Sequence, residues 1–121
     1  MPAARKPETR AATVERATGE SKISVTVNLD GTGQAQVDTP VGFLSHMLSQ
    51  IARHGLVDLT VSVKGDVDTG THHTVEDTAI VLGRALDKAL GERRGIVRMA
   101  HALVPLDEAL AQVALDLSGR G

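Results

Sequence analysis

The sequence predicts an α+β fold in which a sheet, at least partly antiparallel, carries two helices packed on one face. Three observations predict it. Apolar and polar residues alternate in several short stretches, the period of a half-buried strand. Two longer stretches place apolar residues at the 3.6-residue period of an amphipathic helix, with one alternating stretch between them. A nine-residue pattern near the start also recurs near the end, which predicts a duplicated unit whose second copy is truncated.

Residues 1–10 (Met1-Pro-Ala-Ala-Arg-Lys-Pro-Glu-Thr-Arg10) hold no apolar run and are expected to be a disordered tail, neither signal peptide nor anchor. A first strand is expected from Ala11 to Arg16. Ile23, Val25, Val27 and Leu29 alternate with Ser24, Thr26 and Asn28 to give a second. Asp30-Gly-Thr-Gly33 then supplies turn chemistry, and Ala35 and Val37 continue the alternation, so a hairpin with a short return strand is expected. Thr39 reads as a helix N-cap and Pro40 as the first helical residue, where its missing N–H costs nothing. Leu44, Met47, Leu48 and Ile51 follow at i, i+3, i+4, i+7, and Gly55 stands where a left-handed cap is expected.

Val57, Leu59, Val61 and Val63 form another strand pattern, stopped by Lys64-Gly-Asp66. The set Val75, Ala79, Leu82, Leu86, Ala89 predicts a second helix ending near Gly91. Leu103-Val104-Pro105 and the alternation Ala111, Val113, Leu115, Leu117 predict two more strands.

The repeat is direct. Val25-Thr-Val-Asn-Leu-Asp-Gly-Thr-Gly33 aligns without a gap to Val113-Ala-Leu-Asp-Leu-Ser-Gly-Arg-Gly121, an offset of 88 that also carries Glu20 onto Glu108. Residues 11–95 then form one half-domain and 96–121 the beginning of another. The alternative is chance similarity between two strand–turn segments.

Composition narrows the function. With 121 residues, 41% of them apolar, the chain suits a single domain with a real core. A formal net charge of -2 and 1% aromatic content argue against nucleic acid, which needs a basic face or stacking platforms. No cysteine is present, so any metal must be held by His, Asp or Glu. No apolar run approaches the ~20 residues of a membrane helix, and a soluble, cytoplasmic protein with no membrane partner is expected.

Two histidine clusters carry the candidate chemistry. Ser45-His46 and Arg53-His54 lie on the first helix, and His72-His73-Thr-Val-Glu76 opens the second. On a helix, His72, His73 and Glu76 fall at about 0°, 100° and 40°, so their side chains share one sector and are expected to converge. Imidazole nitrogens with a carboxylate suit Mn, Fe, Co, Ni or Zn, and two ions sharing the cluster are sterically easier than one. His46 sits about 200° from Leu44, off the apolar stripe and free for an ion or a neighbouring subunit. The bland readings are a solvated His-His pair, dipole compensation by Glu76 at a helix start and by His54 at a helix end, and a structural His101.

These residues resemble the imidazoleglycerol-phosphate dehydratase family. The resemblance is carried by Glu15-Arg-Ala-Thr-Gly-Glu-Ser21, Val27-Asn-Leu-Asp-Gly-Thr-Gly33, Val41-Gly-Phe-Leu-Ser-His-Met-Leu48, Arg53-His-Gly55, His72-His-Thr-Val-Glu-Asp77, Pro105-Leu-Asp-Glu-Ala-Leu110 and Asp116-Leu-Ser-Gly-Arg120. It implies a half-domain of a duplicated, ribosomal protein S5 domain 2-like fold. It further implies two Mn²⁺ ions (manganese) per complete active site in a large homo-oligomer, a 24-mer in the family. Carried over by motif, His46 and His73 would bind one ion and His72 with Glu76 the other. Glu20, His46, His54, His72, Glu76, Arg98 and Arg120 would contact imidazole-glycerol phosphate, the two arginines matching its phosphate.

The reaction implied is loss of water from D-erythro-imidazole-glycerol phosphate to give imidazole-acetol phosphate, in histidine biosynthesis. Glu20, with His54 second, would move the proton. Ser45 stands where the family usually has Asp, and Gly65-Asp-Val-Asp-Thr-Gly-Thr71 carries fewer charges than the family's usual approach to the histidine pair. The alternative reading is a catalytically inactive half-domain that binds metal or oligomerises.

Overall fold

The computed structural model describes residues 9–121, in two compact units, one running to Gly91 and one over Glu92–Gly121. In the first, strands β1 (Ala11–Ala17), β2 (Ser21–Asn28), β3 (Ala35–Asp38) and β4 (Asp58–Gly65) form a sheet in the order β1-β2-β4-β3. Helices α1 (Gly42–Gly55) and α2 (His72–Leu90) pack on it. Alternation decides the faces: Ile23, Val25 and Val27 of β2 and Leu59, Val61 and Val63 of β4 are buried with Leu48 and Ala52 of α1 and Val81, Ala85 and Ala89 of α2. No helix among the described residues is long and apolar enough to cross a membrane.

The expected β2–β3 hairpin is not formed. β3 instead pairs parallel with β4, Val37 opposite Val61, while β2 is antiparallel to both β1 and β4. The cause is Asp58. Its Oδ1 accepts the backbone N–H groups of Thr32 at 3.0 Å, Gly33 at 3.2 Å and Gln34 at 2.9 Å. This gathers the loop after β2 at the start of β4 and delivers β3 to the far edge of β4. β3, α1 and β4 thus make a β-α-β crossover, the connection a parallel pair requires. The same approach demands glycine, since a Cβ on Gly31 would lie 2.5 Å from the Asp58 nitrogen.

Both ends of α1 also differ from expectation. Thr39 Oγ1 accepts the N–H of Val41 at 3.1 Å, a turn that holds Val41 extended (φ -115, ψ 103) as the N-cap, so Pro40 lies outside the helix. At the other end the left-handed residue is Leu56 (φ 54, ψ 35), whose N–H reaches the Ala52 carbonyl, and Gly55 remains the last helical residue. α2 ends as expected before Gly91.

The buried stripe of α2 is turned relative to the expected one. It runs Thr74, Thr78, Val81, Ala85, Ala89, whereas Val75 is 38% exposed and Leu82 and Leu86 only flank the core. Threonine can fill the buried stripe because Thr78 donates its hydroxyl to the Thr74 carbonyl at 2.7 Å.

Of the expected tail, residues 1–8 lie outside the described residues. Arg10 belongs to the fold: its Nη2 pairs with Asp30 Oδ1 at 2.7 Å.

The second unit is a two-stranded antiparallel hairpin, β5 (Met99–Leu106) with β6 (Ala109–Asp116). It repeats the register of β1–β2. Ala11 pairs with Asn28 and Met99 with Asp116, each partner displaced by 88. The closing bond repeats too, Leu29 N–H to Arg10 O at 2.8 Å and Leu117 N–H to Arg98 O at 3.0 Å.

Candidate metal centre

α2 opens after Gly70 (φ 120), with Thr71 as N-cap and the Val75 N–H bonded to the Thr71 carbonyl at 3.0 Å. This fixes the first turn, which carries every chemistry-bearing residue of the second cluster. His72 Nε2 and Glu76 Oε2 meet at 3.0 Å across one turn, both side chains open to solvent. They line an open depression of about 510 Å³ with Thr71 and Val75.

The convergence of three donors expected from helical angles is not formed. His73 stands with its ring 5.6 Å from that of His72, edge to face at 85°. Among the described residues no three His, Asp or Glu side chains gather closely enough for one ion. The reason is the adjacency of the two histidines, whose Cβ atoms diverge by about 100° around the helix.

The His72–Glu76 edge does suit a divalent transition ion. Ligands at about 2.0 to 2.2 Å from such an ion and adjacent in its shell lie about 3 Å apart, which matches the 3.0 Å observed. An imidazole nitrogen beside a carboxylate is also the right donor chemistry. It could form only one edge of a coordination shell, with the remaining ligands supplied from elsewhere.

The other expected residues are placed as follows. His46 is exposed on α1, beside Ser45, whose hydroxyl shares a 2.8 Å hydrogen bond with that of Thr39. His54 lies in the last turn of α1 with Nε2 2.9 Å from Gln50 Oε1. Glu20 sits exposed in the turn between β1 and β2, its N–H on Thr18 Oγ1 at 3.2 Å.

Arg98 and Arg120 belong to the second unit. Arg98 is engaged in a two-point pair with Asp116, Nη2 to Oδ2 at 2.9 Å, which raises the pKa of the guanidinium and lowers that of the carboxyl. Arg120 is exposed, with its backbone N–H on Ser118 Oγ at 3.1 Å.

Comparison with known proteins settles the ancestry. The sequence profile described as imidazoleglycerol-phosphate dehydratase matches residues 39–121. The chain belongs to the imidazoleglycerol-phosphate dehydratase family. Imidazoleglycerol-phosphate dehydratase of Chloroflexus aurantiacus is 61% identical over 111 residues, covering 92% of this chain and 54% of that protein. That of Thermobifida fusca is 63% identical over 107 residues, covering 88% and 54%. The crystal structure of the Staphylococcus aureus dehydratase superposes with a TM-score of 0.76 at 31% identity, covering 91% of this chain and 59% of that one. The chain thus spans about half the length of the dehydratases it matches.

Sequence reasoning missed two groups in this family member. Asp58 organises the loop before β3, and Asp77, one residue beyond Glu76, accepts from Ser21 Oγ at 3.1 Å. Neither has a local signature, because their partners lie 24 to 26 and 56 residues away.

Proposed function

We propose that the protein acts in histidine biosynthesis as an imidazoleglycerol-phosphate dehydratase, a carbon–oxygen lyase taking D-erythro-imidazole-glycerol phosphate to imidazole-acetol phosphate and water. The observation that carries this is the His72–Glu76 edge, at 3.0 Å on the first turn of α2, in a chain of this family. His72 and Glu76 would hold one Mn²⁺, and His46 and His73 the other. Further copies of the unit in a large cytoplasmic homo-oligomer would complete each shell.

Bound manganese supplies Lewis acidity toward the substrate imidazole. Glu20 would take the carbon-bound proton, and the hydroxyl on the neighbouring carbon leaves to complete the water. His54 is a second candidate for that transfer. Arg98 and Arg120 would grip the phosphate, which for Arg98 means competing with Asp116 for one guanidinium.

Elemental analysis of purified protein, alongside turnover of the substrate, tests the reading. His72→Ala and Glu76→Ala are expected to lose manganese while His101→Ala keeps it. Equal metal content in all three would remove the ligand assignment. A half-domain that binds metal or oligomerises without turnover is the second reading, and the His72–Glu76 pair on one helix turn is the donor edge it would bring to an ion. Measured turnover would exclude that reading.

A further inference from the structure

Asp77 follows Glu76 on α2 but is turned toward β1 and β2. Oδ2 accepts the Ser21 hydroxyl at 3.1 Å and Oδ1 stands 3.6 Å from Arg16 Nη1. Ser21 is 7% exposed and the Asp77 side chain 17%, so this is a sheltered contact joining α2 to the ends of β1 and β2.

The contact continues into the turn that carries Glu20. Thr18 Oγ1 lies 3.3 Å from Ser21 Oγ and accepts the N–H groups of Glu20 and Ser21 at 3.2 and 3.1 Å. The Glu20 carbonyl in turn takes the Asp66 N–H at 3.4 Å, at the end of β4. One chain of hydrogen bonds therefore ties the backbone of Glu20 to the second turn of α2.

We propose that Asp77 is a positioning residue that clamps the first turns of α2 to the Thr18–Ser21 turn and so holds the His72–Glu76 edge in register with Glu20. Its role toward metal rests on the function proposed above. The physical need is plain: the first N–H groups of a helix lack intrahelical partners, Thr71 makes no side-chain cap, and the Val75 N–H to Thr71 carbonyl bond alone ties the start of α2 to the residue before it, so a contact from the sheet steadies the turn. A ligand pair on a fraying turn loses its 3.0 Å geometry, and loss of such supporting contacts weakens metal binding by ~10 to 100-fold.

The test uses the whole chain in two measurements. In amide hydrogen exchange without metal, Asp77→Ala is expected to speed exchange at Val75 and Glu76 roughly tenfold while Val25 and Val61 keep their protection. Asp77→Asn should restore most of it, because the amide oxygen still accepts from Ser21. Unchanged exchange at Val75 and Glu76, or equal acceleration everywhere, overturns the clamp.

In Mn²⁺ titration followed by electron paramagnetic resonance, Asp77→Ala should bind at least tenfold more weakly than the parent. Val81→Ala, destabilised in the core, should bind as the parent does. Parent-like Mn²⁺ affinity in Asp77→Ala overturns the positioning role. A parent that binds no Mn²⁺, with the exchange pattern as expected, overturns the metal reading and confirms the local clamp.

Discussion

The orientation of α2 can be tested by two substitutions of the same kind, Val81→Ala and Val75→Ala. The apolar spacing of the sequence puts Val75 at the head of the buried stripe, whereas the structure buries Val81 completely and leaves Val75 38% exposed. Removing two methyl groups from Val81 forfeits about 1.6 kcal/mol of transfer free energy. The cavity left in a packed core adds about 1 kcal/mol. Alanine's better helix propensity returns about 0.5 kcal/mol, so the net cost is about 2 kcal/mol. At Val75 the same propensity gain offsets a small loss of partial burial, and the change stays within about 0.5 kcal/mol.

Urea unfolding followed by circular dichroism reads both variants. With a slope of about 1.5 kcal/mol/M, Val81→Ala lowers the midpoint by about 1.3 M and Val75→Ala barely moves it. Because both substitutions are Val to Ala in one helix, propensity cancels in the comparison and burial alone sets the order. Equal losses, or a larger loss at Val75, would refute the assignment of the buried stripe.

Acid should weaken the fold through Asp58, whose carboxyl is held below the usual carboxylate range by the N–H groups of Gln34, Thr32 and Gly33. Asp30 and Asp116 are lowered as well, by the hydrogen bonds of Arg10 and Arg98. A lowered folded-state pKa means the unfolded chain binds more protons, so this stability is fully present above about pH 4 and is lost as pH falls through the lowered values. Thermal melts from pH 5 downward check it, and Asp58→Asn should flatten the slope. Gly31→Ala forces a Cβ to within 2.5 Å of the Asp58 backbone nitrogen and should cost about 1 to 3 kcal/mol in the same urea assay. Leu56→Gly relieves a left-handed residue at φ 54 and should raise the urea midpoint, by up to about 1 kcal/mol in stability.

What the sequence made legible follows from the range of the forces involved. Ile23, Val25 and Val27, and Leu59, Val61 and Val63, could be read because a sheet covered on one face imposes its period on every second residue. His72 and Glu76 could be read because a helix brings i and i+4 together whatever surrounds it. The parallel place of β3 could not, since it depends on an aspartate 24 residues beyond Gln34. The face of α2 was misplaced because Thr74 and Thr78 count as polar in a pattern yet are buried, Thr78 with its hydroxyl on the Thr74 carbonyl. Leu56 escaped because Gly55 beside it is the better left-handed residue, and only the reach of the Ala52 carbonyl decides between them.

The two hairpins separate pairing from burial. They share an 88-residue offset, one register and the bond that closes each, so strand pairing is written into each segment locally. Their apolar residues nevertheless fare differently: Val25 and Val27 are fully buried, while Val113 and Leu115 at the same offset are 49% and 57% exposed. The first hairpin becomes a core because residues 42–90 lay α1, β4 and α2 against it. Within the second unit the described residues are a pair of strands with no helix of that unit laid against them. Alternation therefore fixes which side of a strand is able to be buried, and the elements that follow it fix whether that side is buried at all. The candidate centre obeys the same division, with the His72–Glu76 edge formed by α2 alone and the rest of any coordination shell dependent on what is brought against it.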